Sequence, residues 1–205
     1  MLIKIQDLCN KYKLSITGIL HIGAHECEEW GAYQAVGLTK NKIIWIDALQ
    51  EKVNKMRRFG HNIYQLVAHD KDGEKIEFHI TNNYQSSSIL PLEEHLREHP
   101  HIYVIEKRPL TTTRIDTFYN SNDIAPDFAN FANLDIQGNE LSALLGMGSV
   151  LNHMNYIYIE VNIKHLYKDG CLLNELDTFL HSNGFERVEI SMTKHGWGDA
   201  FYIRM

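Results

Sequence analysis

Apolar residues along this chain fall alternately into short unbroken runs and into runs spaced three and four apart, from one end to the other. Unbroken runs mark strands buried on both faces, and the 3.6-residue spacing marks helices laid against them. The alternation predicts an α/β fold. The predicted order opens with a helix at 3–12, a strand at 18–22, a helix at 26–36, a strand at 42–47 and a helix at 50–59 stopped by Gly60. A third strand at 63–68 leads into a turn built by Asp70, Asp72 and Gly73. Residues 75–80 follow, where the alternation of Ile76, Phe78 and Ile80 predicts a half-exposed strand paired back as a hairpin. TNNYQSSSIL (81–90) reads as a loop, 92–99 as a helix ended by Pro100, and TTTRIDTF (111–118) as a segment leading to a polar linker at 120–127. A strand at 131–136, a helix at 140–145, a strand at 156–161 and a helix at 172–181 come next. Two final runs, 185–190 and 200–203, flank an HGWGD turn. No repeat or low-complexity segment interrupts the pattern.

With 205 residues and 44% hydrophobic content, the chain suits one domain spanning 1–205, its first 15 residues an N-terminal helix. No apolar run approaches the roughly 20 residues of a membrane span, and the N-terminus lacks a signal-peptide core, so a cytoplasmic protein is expected. Cys9, Cys27 and Cys171 are far apart and form no CxxC pair. They predict buried thiols in a reducing compartment rather than disulfides or a zinc site. The formal net charge is −6, and basic residues gather only at Lys52, Lys55, Arg57 and Arg58, read as the solvated face of a helix. Nucleic acid is therefore not an expected partner.

The richest stretch is ILHIGAHECEE (19–29), a buried strand that breaks at Gly23 and runs toward a helix. Such a turn is expected to point backbone N–H groups at a ligand. About twenty residues further on, the next strand ends in Asp47, placed to accept hydrogen bonds from the two hydroxyls of a ribose. An adenosine-containing cofactor follows. A dinucleotide does not, because one turn glycine stands where a pyrophosphate needs three, and Glu26, Glu28 and Glu29 would repel phosphate. S-adenosylmethionine (SAM) is the common cofactor without phosphate.

Five blocks in order now carry a resemblance: HIGAH with Asp47, AHDKDG (68–73), TTTRIDTF, LDIQGNELSALLGMG (134–148) and YIYIEVN (156–162). Together the chain resembles the FkbM family of SAM-dependent methyltransferases from about residue 18 to 203. It departs from the usual pattern at His21, His25 and Cys27, where Asp, Asn and a second glycine are common. The resemblance implies a class I SAM-methyltransferase fold, Rossmann-like, with a seven-stranded mostly parallel sheet, helices on both faces and the last strand antiparallel. It implies SAM over the carboxyl ends of the first four strands and transfer to oxygen, with acceptors that are hydroxyls of glycans or secondary metabolites. His21, Gly23, Ala24, His25, Asp47, His69 and Asp70 are the candidate cofactor residues.

Methyl transfer requires the acceptor oxygen in line with the methyl and a group to take its proton. Asp135 and Glu160 end neighbouring strands in this topology and are the candidate catalytic residues. Ser86 and Ser87 in the polar loop, His165 after the fifth strand, and Trp197 with Asp199 in the HGWGD turn are candidates for a glycan or small-molecule acceptor. One motif competes: His95-Leu96-Arg97-Glu98-His99 fits the zinc pattern H-x-x-E-H. Its helix is short, ends at Pro100 and has no distal acid to complete a ligand set, so it reads as a solvated face and no metal is assigned. The alternative function is a non-catalytic SAM-fold module that binds a glycan or a protein partner.

Overall fold

The computed structural model describes all 205 residues. Its main sheet is built from β1 (Ile19–Ile22), β2 (Ile43–Asp47), β3 (Ile63–Gln65), β7 (Phe131–Leu134), β8 (Tyr156–Asn162), β9 (Phe185–Met192) and β10 (Trp197–Arg204). Their order is β3-β2-β1-β7-β8-β10-β9, with only β10 running against its neighbours. This is the arrangement the resemblance implies. Every residue of β1 and β7 is buried, which explains why these strands read as unbroken apolar runs rather than alternating ones.

Helices cover both faces. On one side Leu20, Ile22, Ile44, Ile46, Leu134 and Ile159 pack against α5 (Ile115–Ser121), α6 (Glu140–Gly146) and α7 (Leu173–Ser182). On the other, Ile19, Ile43, Trp45 and Phe131 meet α1 (Ile5–Tyr12), α2 (Trp30–Ala35) and α3 (Gln50–Arg58). Strand alternation alone sends neighbouring residues to opposite cores.

Register does the positioning. Ile22 lies opposite Ile46 of β2 and Leu134 of β7, and Leu134 lies opposite Ile159 of β8. The next residues along, Gly23, Asp47, Asp135 and Glu160, therefore emerge side by side at the carboxyl rim. β10 adds Asp199, paired with Glu160.

Several predicted elements are corrected. The strand at 75–80 does not pair back on the third strand. It is β5 (Lys75–Thr81), and it pairs antiparallel with β6 (Val104–Thr113), which also takes the short β4 (Val67–Ala68) in a separate three-stranded sheet. TTTRIDTF is thus the end of β6 and the start of α5, not a lead into a linker. The helix expected at 92–99 shrinks to the single turn α4 (His95–Glu98), because the N–H groups of Glu93 and His95 donate to Leu166 O instead. The helix expected from residue 26 begins at Trp30, since His25 and Cys27 adopt positive φ. Residues 197–199 belong to β10 rather than to a turn.

The tightest constraint on the chain path is at Gly23. Its φ is +93°, and a Cβ there would lie 1.8 Å from Asp135 O. Gly37 has a similar φ of +90° with open space around it. Gly23→Ala should therefore cost well over 2 kcal/mol, about 2 kcal/mol more than Gly37→Ala, in urea unfolding. Equal losses would contradict the close approach.

Candidate active site

Two connected depressions occupy the carboxyl rim. The first is a cleft of about 620 Å³ with its open mouth, walled by apolar residues including Ile46, Leu49, Leu66, Val67, Phe78 and Ile89. Asp47, Gly23 and His25 lie along it, and Asp135, Ile136, Gln137 and Asn139 close one end. The second, about 1280 Å³ with its open mouth, is lined mostly by polar groups, among them Glu160, Asp199, His95 and His99, with Trp197 on the same wall. Gly23, His25, Gln85, Asp135 and Gln137 are shared, so each depression opens on the other.

Asp47 is held rather than free. His25 N donates to its Oδ2 at 2.7 Å and Leu49 N to its Oδ1 at 2.8 Å. Burial raises its pKa to about 6, against the opposing pull of those two bonds. The turn after β1 departs from expectation in one respect. Gly23 N and Ala24 N both donate to Ile46 O at 2.9 Å, so these donors tie the ends of β1 and β2 together instead of facing a ligand. Ala24 and Cys27 are packed into the core on the α1–α3 side and do not line the cleft. A cysteine in place of a second glycine leaves the cleft open for that reason.

The acids of the turn are neutralised locally. Lys52 and Lys55 reach Glu26 at 2.7 and 2.5 Å and pull its carboxyl down to about 2. Two of the four residues read as a solvated basic face therefore hold this loop, and Lys52 also lies 4.7 Å from the centre of the Tyr84 ring. No lysine or arginine lines the cleft, which suits a cofactor without phosphate. The apolar slot and the acid at the end of β2, with no basic side chain to meet a phosphate, fit SAM.

At the junction Gln137, with φ +59°, donates through Nε2 to Asp135 Oδ1 at 2.6 Å and to Glu160 Oε2 at 2.5 Å. Its other end accepts from Tyr167 Oη. Glu140, wholly buried, accepts the N–H of Ile136 at 2.9 Å and of Gly138 at 3.0 Å, pinning the turn that presents Gln137. Burial raises Glu140 to about 7. Glu160 is pushed well above the carboxylate range by burial first and then by the negative charge of Asp135. Asp199 is raised as well, by burial, and takes the hydroxyl of Tyr158.

The remaining candidates divide. Ser86 and Trp197 line the polar cavity and Ser87 the cleft. His21 is buried on the far face of β1, 4.6 Å centre to centre from Trp45 and bonded to Tyr33 Oη at 2.9 Å, and it also lines the polar cavity. Burial keeps it neutral by lowering its pKa. His69 and Asp70 lie outside both depressions. The cleft stops at Ala68, and Asp70 instead bonds Ser142, while Arg114 donates to the carbonyl of Asp70. The AHDKDG and TTTRIDTF blocks thus brace one another. His165 is exposed and bonded to Gly170 O, away from the cavity.

The H-x-x-E-H helix also reads differently in place. His95 is buried rather than solvated and lines the cavity with His99, while Glu98 is engaged by Lys164 at 2.5 Å and His195 at 2.8 Å. Sequence reasoning missed the cavity role of His95 and the bridging role of Gln137. The packing of 93–95 onto the loop at 166 left no local signal.

Comparison with known proteins agrees with this geometry. The family model described as the methyltransferase FkbM domain matches residues 21–187. The chain belongs to the FkbM methyltransferase family and is a SAM-dependent methyltransferase. The crystal structure of magnesium protoporphyrin IX methyltransferase from Synechocystis PCC 6803 with bound SAM is similar at a TM-score of 0.54 and 9% identity, over 98% of this chain and 76% of that one. A SAM-dependent methyltransferase from Aquifex aeolicus is similar at a TM-score of 0.50 and 14% identity, over 100% and 91%. At such identities the likeness is one of fold. No curated protein matches.

Asp47 generates a pH dependence. Its carboxylate accepts ribose hydroxyls best when ionised, so SAM affinity should be full above pH 6 and fall as the pH drops through about 6. Asp47→Ala should weaken SAM by roughly 1.5–3 kcal/mol, about ten- to a hundredfold, and remove that pH step. Calorimetry from pH 5 to 8 checks both; unchanged affinity in the variant would remove Asp47 from the site.

Proposed function

We propose that this methyltransferase acts on a hydroxyl of a glycan or small polyhydroxylated acceptor held in the polar cavity. The observation that carries the reading is the shared wall of Asp135 and Gln137, which opens the cofactor cleft directly onto a cavity with Glu160 at its edge. SAM, when bound, supplies an electrophilic methyl on a sulfonium sulfur that departs as a neutral thioether. The protein's part is to hold the acceptor oxygen in line and to take its proton.

Asp135 and Glu160 are the candidate bases. Gln137 holds the two carboxylates in one place by donating to both, and a sugar hydroxyl, itself a weak nucleophile, needs such a group. The raised pKa of Glu160 makes it the stronger base once ionised, and a cation in the adjoining cleft favours that ionised form. Ser86, Asn83 and Gln85 offer hydroxyl and amide groups that suit a polyol, and Trp197 offers a ring face for a sugar.

The whole chain, 1–205, works as one catalytic domain in this reading. No helix is long and apolar enough to cross a membrane, and three free cysteines suit a reducing cytoplasm.

Labelled SAM offered with sugar, lipid, peptide and RNA pools should yield methylated hydroxylated acceptors. Glu160→Gln and Asp135→Asn should keep SAM affinity within about threefold while at least one lowers kcat by about 10²–10⁴. Methylation confined to RNA or peptide would overturn the acceptor class, and full rates in both variants would overturn the assignment of the base.

A further inference from the structure

The charge of the polar cavity is one-sided. Its wall carries five carboxylates, from Glu28, Glu29, Asp135, Glu160 and Asp199, and no lysine or arginine. The cation present is the amino group of Met1, 3.8 Å from Glu29. SAM brings a sulfonium, an ammonium and one carboxylate, a single net positive charge, and the acids still outnumber the cations on this wall. They lie deepest where Glu160 and Asp199 face each other across paired strands, both buried; Glu160, held protonated by burial and by Asp135, ionises only with a further cation beside it.

Neither acid is paired with a basic side chain. Glu160 gives one oxygen to Gln137 and meets the carboxyl of Asp135. One oxygen of Asp199 takes Leu2 N and Tyr158 Oη, leaving the other without a partner. Unpaired carboxylate oxygens on a cavity wall are acceptors awaiting a donor, and an ammonium offers three donors together with the missing charge.

A second, independent feature is the imidazole wall. His95 is only 5% exposed, lines the cavity and makes no side-chain hydrogen bond, with Nδ1 buried and unpartnered. Burial and the neighbouring His99 lower its pKa to about 4, so it is a neutral ring that can accept from a hydroxyl or an ammonium without adding positive charge. Trp197 on the same wall adds an aromatic face, which attracts a cation as well as a sugar ring.

We propose that the acceptor is a polyhydroxylated amine, such as an amino sugar with a free ammonium group, whose cation is recognised by Asp199 and whose neighbouring hydroxyls meet Glu160, His95 and His99. This rests on the methyl-transfer reading above and narrows its substrate class. The amine is a recognition handle: protonated, it has no lone pair to attack, and the methyl goes to oxygen. Phosphorylated, sulfated and uronic acceptors, and nucleotide sugars, are excluded by repulsion from the same carboxylates.

The test uses the full chain, labelled SAM and a matched series of oligosaccharides with glucosamine, N-acetylglucosamine or glucosamine 6-phosphate at the same position. The free amine should be preferred over the acetamide by at least about tenfold in kcat/KM, with the phosphate poorer still and the methyl on oxygen. Asp199→Asn should erase the preference for the amine, chiefly through KM. The wild-type ranking stands as a test even if that variant folds poorly. Equal or better turnover of the acetamide or the phosphate, or methylation on nitrogen, would overturn the inference while leaving a hydroxylated acceptor in place. No turnover of any hydroxylated acceptor, with RNA or peptide methylated instead, would overturn the underlying reading and this inference with it.

Discussion

The buried carboxyl of Glu140 is the point on which the site depends. It satisfies the N–H groups of Ile136 and Gly138 inside the protein, where an unpaired donor would cost about 1–3 kcal/mol each. Fixing those two groups forces the intervening Gln137 into a left-handed conformation and turns its side chain toward the rim. There one amide joins Asp135 to Glu160, and its oxygen receives Tyr167. The cofactor cleft and the polar cavity meet at this amide.

Parallel register supplies the rest of the alignment. One residue past the paired positions Ile22, Ile46, Leu134 and Ile159, four strands deliver a glycine and three acids in a row. The glycine lets β1 approach Asp135, and the acids differ in character by what surrounds each. Asp47 keeps access to charge through two backbone donors, whereas Glu160 sits beside another carboxylate and favours its protonated form. In the proposed reaction one rim provides both an anion for the ribose hydroxyls and a base for the acceptor.

Much of this was legible in the residue pattern because it is carried by strands buried on both faces. Ile43–Asp47 and Tyr156–Asn162 announce themselves as apolar runs ending in acids, and register then places those acids without further information. The family resemblance supplied the strand order and the cofactor, which periodicity does not. What escaped was governed by contacts distant in sequence. Strand β6, VIEKRPLTTT, is largely exposed and carries a proline, so nothing local marked it as the partner of β5. His95 looked like a surface helix residue by spacing, but Leu166 O draws its backbone onto another loop and buries the ring. His69 and Asp70 lie close in sequence to the cleft yet fall outside it: His69 N donates to Thr113 O and Asp70 turns to Ser142 and Arg114, because the β4–β6 pairing lifts the chain away.

The claim that a buried carboxyl cluster organises the site is tested most directly by a pH titration of the glutamate side-chain carbons by NMR, with Glu160→Gln and Glu140→Gln used to assign the two signals. The account predicts that Glu140 titrates near 7 and Glu160 well above the ordinary range, and that added SAM lowers the Glu160 midpoint. If both signals titrate with the exposed glutamates near pH 4 to 5, about the ordinary value, the cluster is not buried as described and the account fails.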